Sequence, residues 1–103
     1  MSDELHTVAA VEELKEGEGK CVVVDQQQIA IFKVGGEGLA IHNVCPHQGA
    51  SLAYGWVRGE TVTCPLHGWD FDLRSGMNKQ GLGAVRSYPT RIEDGQIQVL
   101  IED

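Results

Sequence analysis

Two short segments restrict this chain more than any other feature: Cys45-Pro46-His47-Gln48-Gly49 and Cys64-Pro65-Leu66-His67-Gly68. As a pattern they read C-x-H, sixteen residues, then C-x2-H. Each offers one thiolate and one imidazole, so two matching loops can close on a metal centre from opposite sides. Proline stiffens each loop. A glycine follows each histidine, two residues on in the first loop and immediately in the second. These glycines are expected to let backbone N–H groups come close to the sulfurs, where a Cβ would obstruct them.

A structural Cys2His2 zinc site is the main chemical rival, because zinc accepts the same donors. Zinc motifs usually separate the members of a pair by two or more residues, whereas one residue separates Cys45 from His47. Four unrelated core residues are the remaining alternative. The third cysteine makes the count odd, a poor basis for a disulfide framework. Cys21 precedes Val22-Val23-Val24 and is read as a small core hydrophobe.

The chain of 103 residues is expected to be one domain, residues 1–103, with 42% hydrophobic and 22% charged residues, an ordinary globular balance. A net charge of −7 excludes two partner classes, nucleic acid and anionic membrane surfaces, and permits a partner with a basic docking face. The first eight residues show neither a basic n-region nor an apolar h-region. Apolar runs such as Cys21–Val24 and Ile29–Phe32 are four residues long, too short to cross a bilayer. A cytoplasmic, membrane-free protein is the expectation.

Thirteen glycines suit a protein of short strands and tight turns. Ala9–Glu16 reads as one short N-terminal helix, with Val11 and Leu14 at helical spacing and Gly17 as its stop. Strand patterns follow at Lys20–Asp25, Gln28–Val34, Leu39–Val44, Thr61–Cys64, Trp69–Leu73, Val85–Ile92 and Gln96–Ile101. Gly35-Gly36-Glu37-Gly38 and Glu93-Asp94-Gly95 signal hairpin turns. The fold class is therefore all-β, an antiparallel sandwich or barrel. The strand pattern lapses between Val44 and Thr61, and again between Ser75 and Ala84.

The paired segments resemble the Rieske motif, in which two cysteines bind one iron of a 2Fe–2S cluster and two histidines bind the other. The likeness extends to Asn43-Val44, Trp69, Phe71-Asp72-Leu73-Arg74-Ser75-Gly76, Gly55 and Tyr88-Pro89. It is strongest to the stand-alone ferredoxins of ring-hydroxylating dioxygenase systems, with the small subunit of assimilatory nitrite reductase a near relative. The resemblance implies one 2Fe–2S cluster on Cys45, His47, Cys64 and His67, a cluster-binding subdomain at about 43–76, and histidine edges at the surface. Two ferric ions, two sulfides, two thiolates and two neutral imidazoles sum to zero charge, so reduction is easier than with four thiolates. Quinol-oxidising relatives carry a further cysteine in each loop, where Ala50 and Leu66 stand here. They also place hydroxyls near the sulfurs, where this chain has Trp69 and Phe71. A low-potential cluster is expected. The stretch Gly76–Ala84 lacks the proline often found in the family's third loop.

The remaining candidates have ordinary readings. His6 and His42 have no ligand-type neighbour, Asp70 and Asp72 alternate with apolar residues as on a solvent face, and Tyr54 and Tyr88 are expected to pack. Trp69 suits either packing under the cluster or exposed docking. The resemblance implies a monomeric one-electron carrier between a flavin-dependent reductase and a terminal oxygenase, with no catalytic site of its own. A permanent subunit bound to a nitrite reductase large subunit, and a redox-sensing or structural metal module, stay open as alternatives. No nucleophile–base pair, P-loop or dinucleotide fingerprint is present.

Overall fold

Hairpins organise the backbone. The computed structural model describes residues 4–45, 49–65, 68–81 and 83–101. Its strands are β1 (Glu4–Ala10), β2 (Gly19–Val24), β3 (Gln27–Val34), β4 (Glu37–His42), β5 (Trp56–Arg58), β6 (Thr61–Thr63), β7 (Asp70–Asp72), β8 (Ser87–Tyr88), β9 (Thr90–Glu93) and β10 (Gln96–Ile101). Two-residue turns join β2 to β3 at Asp25-Gln26, β3 to β4 at Gly35-Gly36, and β9 to β10 at Asp94-Gly95. All six turn residues have positive φ, from 49° to 81°, the left-handed pairs whose twist suits flanking strands.

The strands form three sheets, ordered β1-β10-β9, β2-β3-β4-β8 and β5-β6-β7, and every strand pair is antiparallel. The second sheet lies between two cores. Alternate residues of β3 point to opposite faces. Ile29 and Ile31 pack with Ile97, Val99 and Ile101, while Ala30 and Phe32 pack with Leu52, Val62, Phe71 and two of the cysteines. The all-β antiparallel class stands as expected.

The N-terminal helix does not. Ala9 and Ala10 end β1, which pairs with β10 from Glu4 to Ala10 with one irregularity at Val8, and only Val11–Glu13 makes a single 3-10 turn. Ladder hydrogen bonds to β10 win over the weak helical spacing of Val11 and Leu14. Leu14 is extended and buried. The run Val85–Ile92 divides at Pro89 into β8 and β9, which belong to different sheets. Proline has no N–H to continue a ladder. Sequence patterning also misses β5, which pairs with β6 across a two-residue turn that starts at Gly59 with φ +60°.

Candidate metal centre

The segments carrying Cys45 and Cys64 are built alike. Cys45 N–H donates to the Ala50 carbonyl at 2.9 Å, and Gly49 N–H donates back to the Cys45 carbonyl at 2.8 Å. In the second loop Cys64 N–H donates to the Trp69 carbonyl at 2.7 Å, and Gly68 N–H to the Cys64 carbonyl at 3.2 Å. Residues just outside each loop are paired as well, Val44 with Ser51 and Thr63 with Asp70. Gly49 has φ +73° and Gly68 φ +71°. A Cβ at either would meet nothing within 4 Å among the described atoms, and the left-handed backbone itself favours glycine here.

Both cysteines are 1% exposed and belong to one core with Phe32, Leu52, Phe71, Leu73 and Val85. Neither is joined in a disulfide to the other or to Cys21. His47 and His67 lie outside the described residues, as do Pro46, Gln48 and Leu66. Among the described residues no three potential ligands gather. Two buried soft donors, on loops of matching hydrogen bonding, fit a sulfide-bridged iron centre gripped from both sides.

Asn43, 2% exposed, holds the first loop in place. Its Oδ1 accepts from the Ala53 N–H at 2.9 Å and the Ser51 hydroxyl at 3.0 Å, and its Nδ2 donates to Gln28 Oε1 at 3.3 Å. The backbone adds Asn43 N–H to the Gln28 carbonyl and Leu52 N–H to the Asn43 carbonyl. Gly55 follows, where a Cβ would stand 2.3 Å from the Thr63 carbonyl oxygen. That contact seats the first loop's exit against the entry of the second.

The stretch after Ser75 is tied to β7 despite its missing proline. Asp72 N–H donates to the Met77 carbonyl, Lys79 N–H to the Asp70 carbonyl, and Asp70 N–H to Gln80 Oε1 at 3.0 Å. Gly76 packs so closely that a Cβ would lie 2.0 Å from the Val85 carbonyl oxygen.

The Asp70 and Asp72 carboxylates are tied into local hydrogen bonds. The Thr63 hydroxyl and then the Gln80 amide bond the Asp70 carboxylate and hold its pKa below the usual value. Burial raises the Asp72 pKa, but the Ser75 N–H and hydroxyl and the Arg74 N–H outweigh it and leave a net lowering. Burial pushes the Cys21 thiol up, consistent with a packing role.

Trp69 is half-buried and packs against the cysteine core. His42 sits half-buried at the end of β4, and His6 Nε2 lies 3.7 Å from Asp25. Tyr88 is buried, its hydroxyl donating to Gln27 Oε1 at 2.7 Å. Tyr54, expected to pack, is 77% exposed instead. It follows buried Leu52 and Ala53 in a 3-10 turn, where only those two positions face the core. Two features escaped sequence reading: the role of Asn43, which Asn before a turn hints at, and the exposure of Trp56, which has no sequence signal.

Known proteins are similar to this chain in sequence and in fold. The anthranilate 1,2-dioxygenase ferredoxin subunit of Burkholderia cepacia is 41% identical over 98 residues, covering 93% of this chain and 91% of the relative. The ferredoxin of carbazole 1,9a-dioxygenase from Nocardioides aromaticivorans IC177 superposes with a TM-score of 0.86 at 30% identity, over 92% of this chain and 95% of that one. A nitrite reductase small subunit from Mycobacterium tuberculosis, described as NADH-dependent, superposes with a TM-score of 0.92 at 28% identity, over 100% and 99%. The pattern defining the Rieske [2Fe-2S] domain matches residues 4–89, and with both buried cysteines inside that span the chain belongs to the Rieske [2Fe-2S] domain family, whose cofactor is one Rieske-type 2Fe–2S cluster.

Proposed function

We propose that the protein is a one-electron carrier of a ring-hydroxylating dioxygenase system, taking electrons from a flavin-dependent reductase and passing them to a terminal oxygenase. Cys45 and Cys64 serve one iron and His47 and His67 the other, within a cluster-binding subdomain at about 43–76 of a single domain spanning residues 1–103. The observation carrying this reading is the pair of cysteines, both 1% exposed, on two loops closed by the same hydrogen bonds. When bound, the cluster supplies a site that gains and loses one electron. The chain's own residues fix that site. Asn43 pins the first loop, Asp70 and Asp72 anchor the second through Thr63, Gln80 and the Ser75 turn, and Phe71 and Leu73 close the core beneath.

In the carbazole 1,9a-dioxygenase system, ferredoxin and oxygenase form a complex. A carrier of this kind meets its partners briefly, as a cytoplasmic monomer, through a small interface centred on the His47 and His67 loops with Gln48 at its edge. Among the described residues no helix is long and apolar enough to cross a membrane.

The test is chemical and spectroscopic. Anaerobically purified protein should hold two irons and two acid-labile sulfides and, when reduced, show the low-average-g resonance of mixed Cys/His ligation. His47→Cys and His67→Cys should abolish that resonance, while Cys21→Ser leaves it intact. A colourless protein with one zinc overturns the reading. The whole-length match to a nitrite reductase small subunit favours a permanent-subunit role as the second reading. Purification separates the two, because a carrier elutes alone and a subunit elutes with its larger partner.

A further inference from the structure

All four polar atoms of Asp70 are engaged. The Thr63 hydroxyl donates to Oδ1 at 2.6 Å, and Lys79 N–H donates to the backbone carbonyl at 2.8 Å. The Gln80 carboxamide takes the other two: its Oε1 accepts the Asp70 N–H and its Nε2 donates to Oδ2, each at 3.0 Å. Thr63 precedes Cys64, and Asp70 follows Trp69, whose carbonyl accepts the Cys64 N–H. Asp70 therefore stands where the second Cys/His loop returns to the sheet, held on one side by β6 and on the other by Gln80.

Register brings Gln80 to that place. Phe71 pairs with Asn78, and Lys79 N–H bonds the Asp70 carbonyl, so Gln80 comes next along the ladder, toward Trp69. The chain then turns back. Asn78 N–H donates to the Gly83 carbonyl at 3.0 Å, Gly81 N–H to the Asn78 carbonyl at 3.2 Å, and Gln80 N–H to Asn78 Oδ1 at 2.9 Å. Asn78 is 4% exposed, and directly paired residues share a face, so it lies on the Phe71 side of the sheet. The segment returns to Val85, which is buried in one core with Phe71, Cys45 and Cys64. The base of this turn is thus part of the wall of the cysteine core. Backbone hydrogen bonds hold that base. Beyond Lys79, the described ties from the turn to β7 come from one side chain, Gln80.

We propose that Gln80 is a positioning residue of the redox site: its carboxamide latches this turn to the return of the second Cys/His loop and keeps water from the cysteine core there. Gln80 acts through Asp70. The inference rests on the cluster ligation proposed above and adds a residue to it. A cluster that is neutral when oxidised gains one negative charge on reduction, so water reaching it favours the reduced state. Releasing the latch therefore raises the midpoint potential and opens the iron to attack from solution.

Cluster-loaded protein mixed with excess ethylenediaminetetraacetate, followed by loss of visible absorbance, tests this together with potentiometric titration. Gln80→Ala should bleach about fivefold faster than wild type, the factor that two exposed hydrogen bonds represent at the low end of their usual worth. Its midpoint potential should rise, while the low-average-g resonance of the reduced cluster stays as in wild type because the ligands are intact. Gln80→Glu sets a second carboxylate against Asp70 and should bleach at least as fast. Adding Asp70→Asn to Gln80→Glu exchanges carboxylate and amide and restores both hydrogen bonds. That double variant should bleach within about twofold of wild type and recover the wild-type potential. Tyr88→Phe removes one hydrogen bond, to Gln27, from the other core and should leave both readings at wild type. Gln80→Ala that bleaches no faster than Tyr88→Phe, a potential that does not rise, or changes that the exchange fails to reverse overturn the latch. Wild-type protein without the low-average-g resonance overturns the ligand reading first, and this inference with it.

Discussion

Replacing Asn43 by alanine should loosen the first Cys/His loop before it affects anything else. The orientation of the Asn43 amide is fixed by the Ala53 backbone N–H, which can only donate and so must face Oδ1. Removing Oδ1 leaves that N–H buried without an acceptor, a loss of about 1–3 kcal/mol. The Ser51 hydroxyl, half-buried, loses an ordinary hydrogen bond worth about 0.5–1.5 kcal/mol. Nδ2 contributes little, because its Gln28 partner is 3.3 Å away on an exposed side chain. The sum is about 1.5–4.5 kcal/mol, and an m-value near about 2 kcal/mol/M turns it into a urea midpoint about 0.8–2.3 M lower. Gln28→Ala should move the midpoint by less than about 0.3 M, since it removes only the long bond and the Gln28 carbonyl still accepts from Asn43 N–H. The assay is urea unfolding of cluster-loaded protein, followed both by far-ultraviolet circular dichroism and by visible absorbance. Equal midpoints for wild type and Asn43→Ala would refute the reasoning. So would a Gln28→Ala loss as large as that of Asn43→Ala.

Three further outcomes are expected. Gly76→Ala should fail to accumulate as folded protein, because its Cβ would meet the Val85 carbonyl, whereas Gly49→Ala, with φ +73° and open space, should fold with a loss of about 1–2 kcal/mol in urea titration. The Asp70 carboxyl has a lowered pKa in the folded protein, so its contribution is complete above the ordinary carboxylate value near about 4 and is lost as pH falls toward the depressed one. Stability measured downward from pH 6 should fall less steeply in Asp70→Asn. With Trp69 and the fully buried Phe71 where hydroxyl donors would raise it, the midpoint potential should lie toward about −150 mV, and potentiometric titration giving a value well above zero would contradict this.

Turn chemistry and alternation made much of the fold readable. Gly35-Gly36 and Asp94-Gly95 announce their hairpins because few other residues accept two left-handed positions in a row. Asp25-Gln26 adopts the same conformation with no such signature, and there the paired strands impose the turn on residues that tolerate it. The N-terminal segment misleads for a related reason. Val11 and Leu14 fit a helix locally, but β10 offers Glu4–Ala10 a ladder of partners more than 85 residues away, which no local window contains. Likewise β5 is three residues long, too short for alternation to rise above chance.

The two loops were legible as a pair from their Cys/His pattern, but their internal symmetry was not, because the two histidines sit at different offsets from their cysteines. Counted from cysteine, His47 is two residues on and His67 three, which makes the loops look unlike. Counted by glycine they coincide: Gly49 and Gly68 each lie four residues after the cysteine. Both are left-handed, and each donates its N–H to the carbonyl of its cysteine. The next residue's carbonyl then accepts the cysteine N–H in both loops, from Ala50 and from Trp69. The backbone frame is thus shared through cysteine and glycine, while the sequence offset of the histidine differs between the loops. A β-branched or bulky residue at position four would strain the frame at φ near +70° even with both cysteines retained, more than the alanine of Gly49→Ala does, so the glycines belong to the motif along with the cysteines.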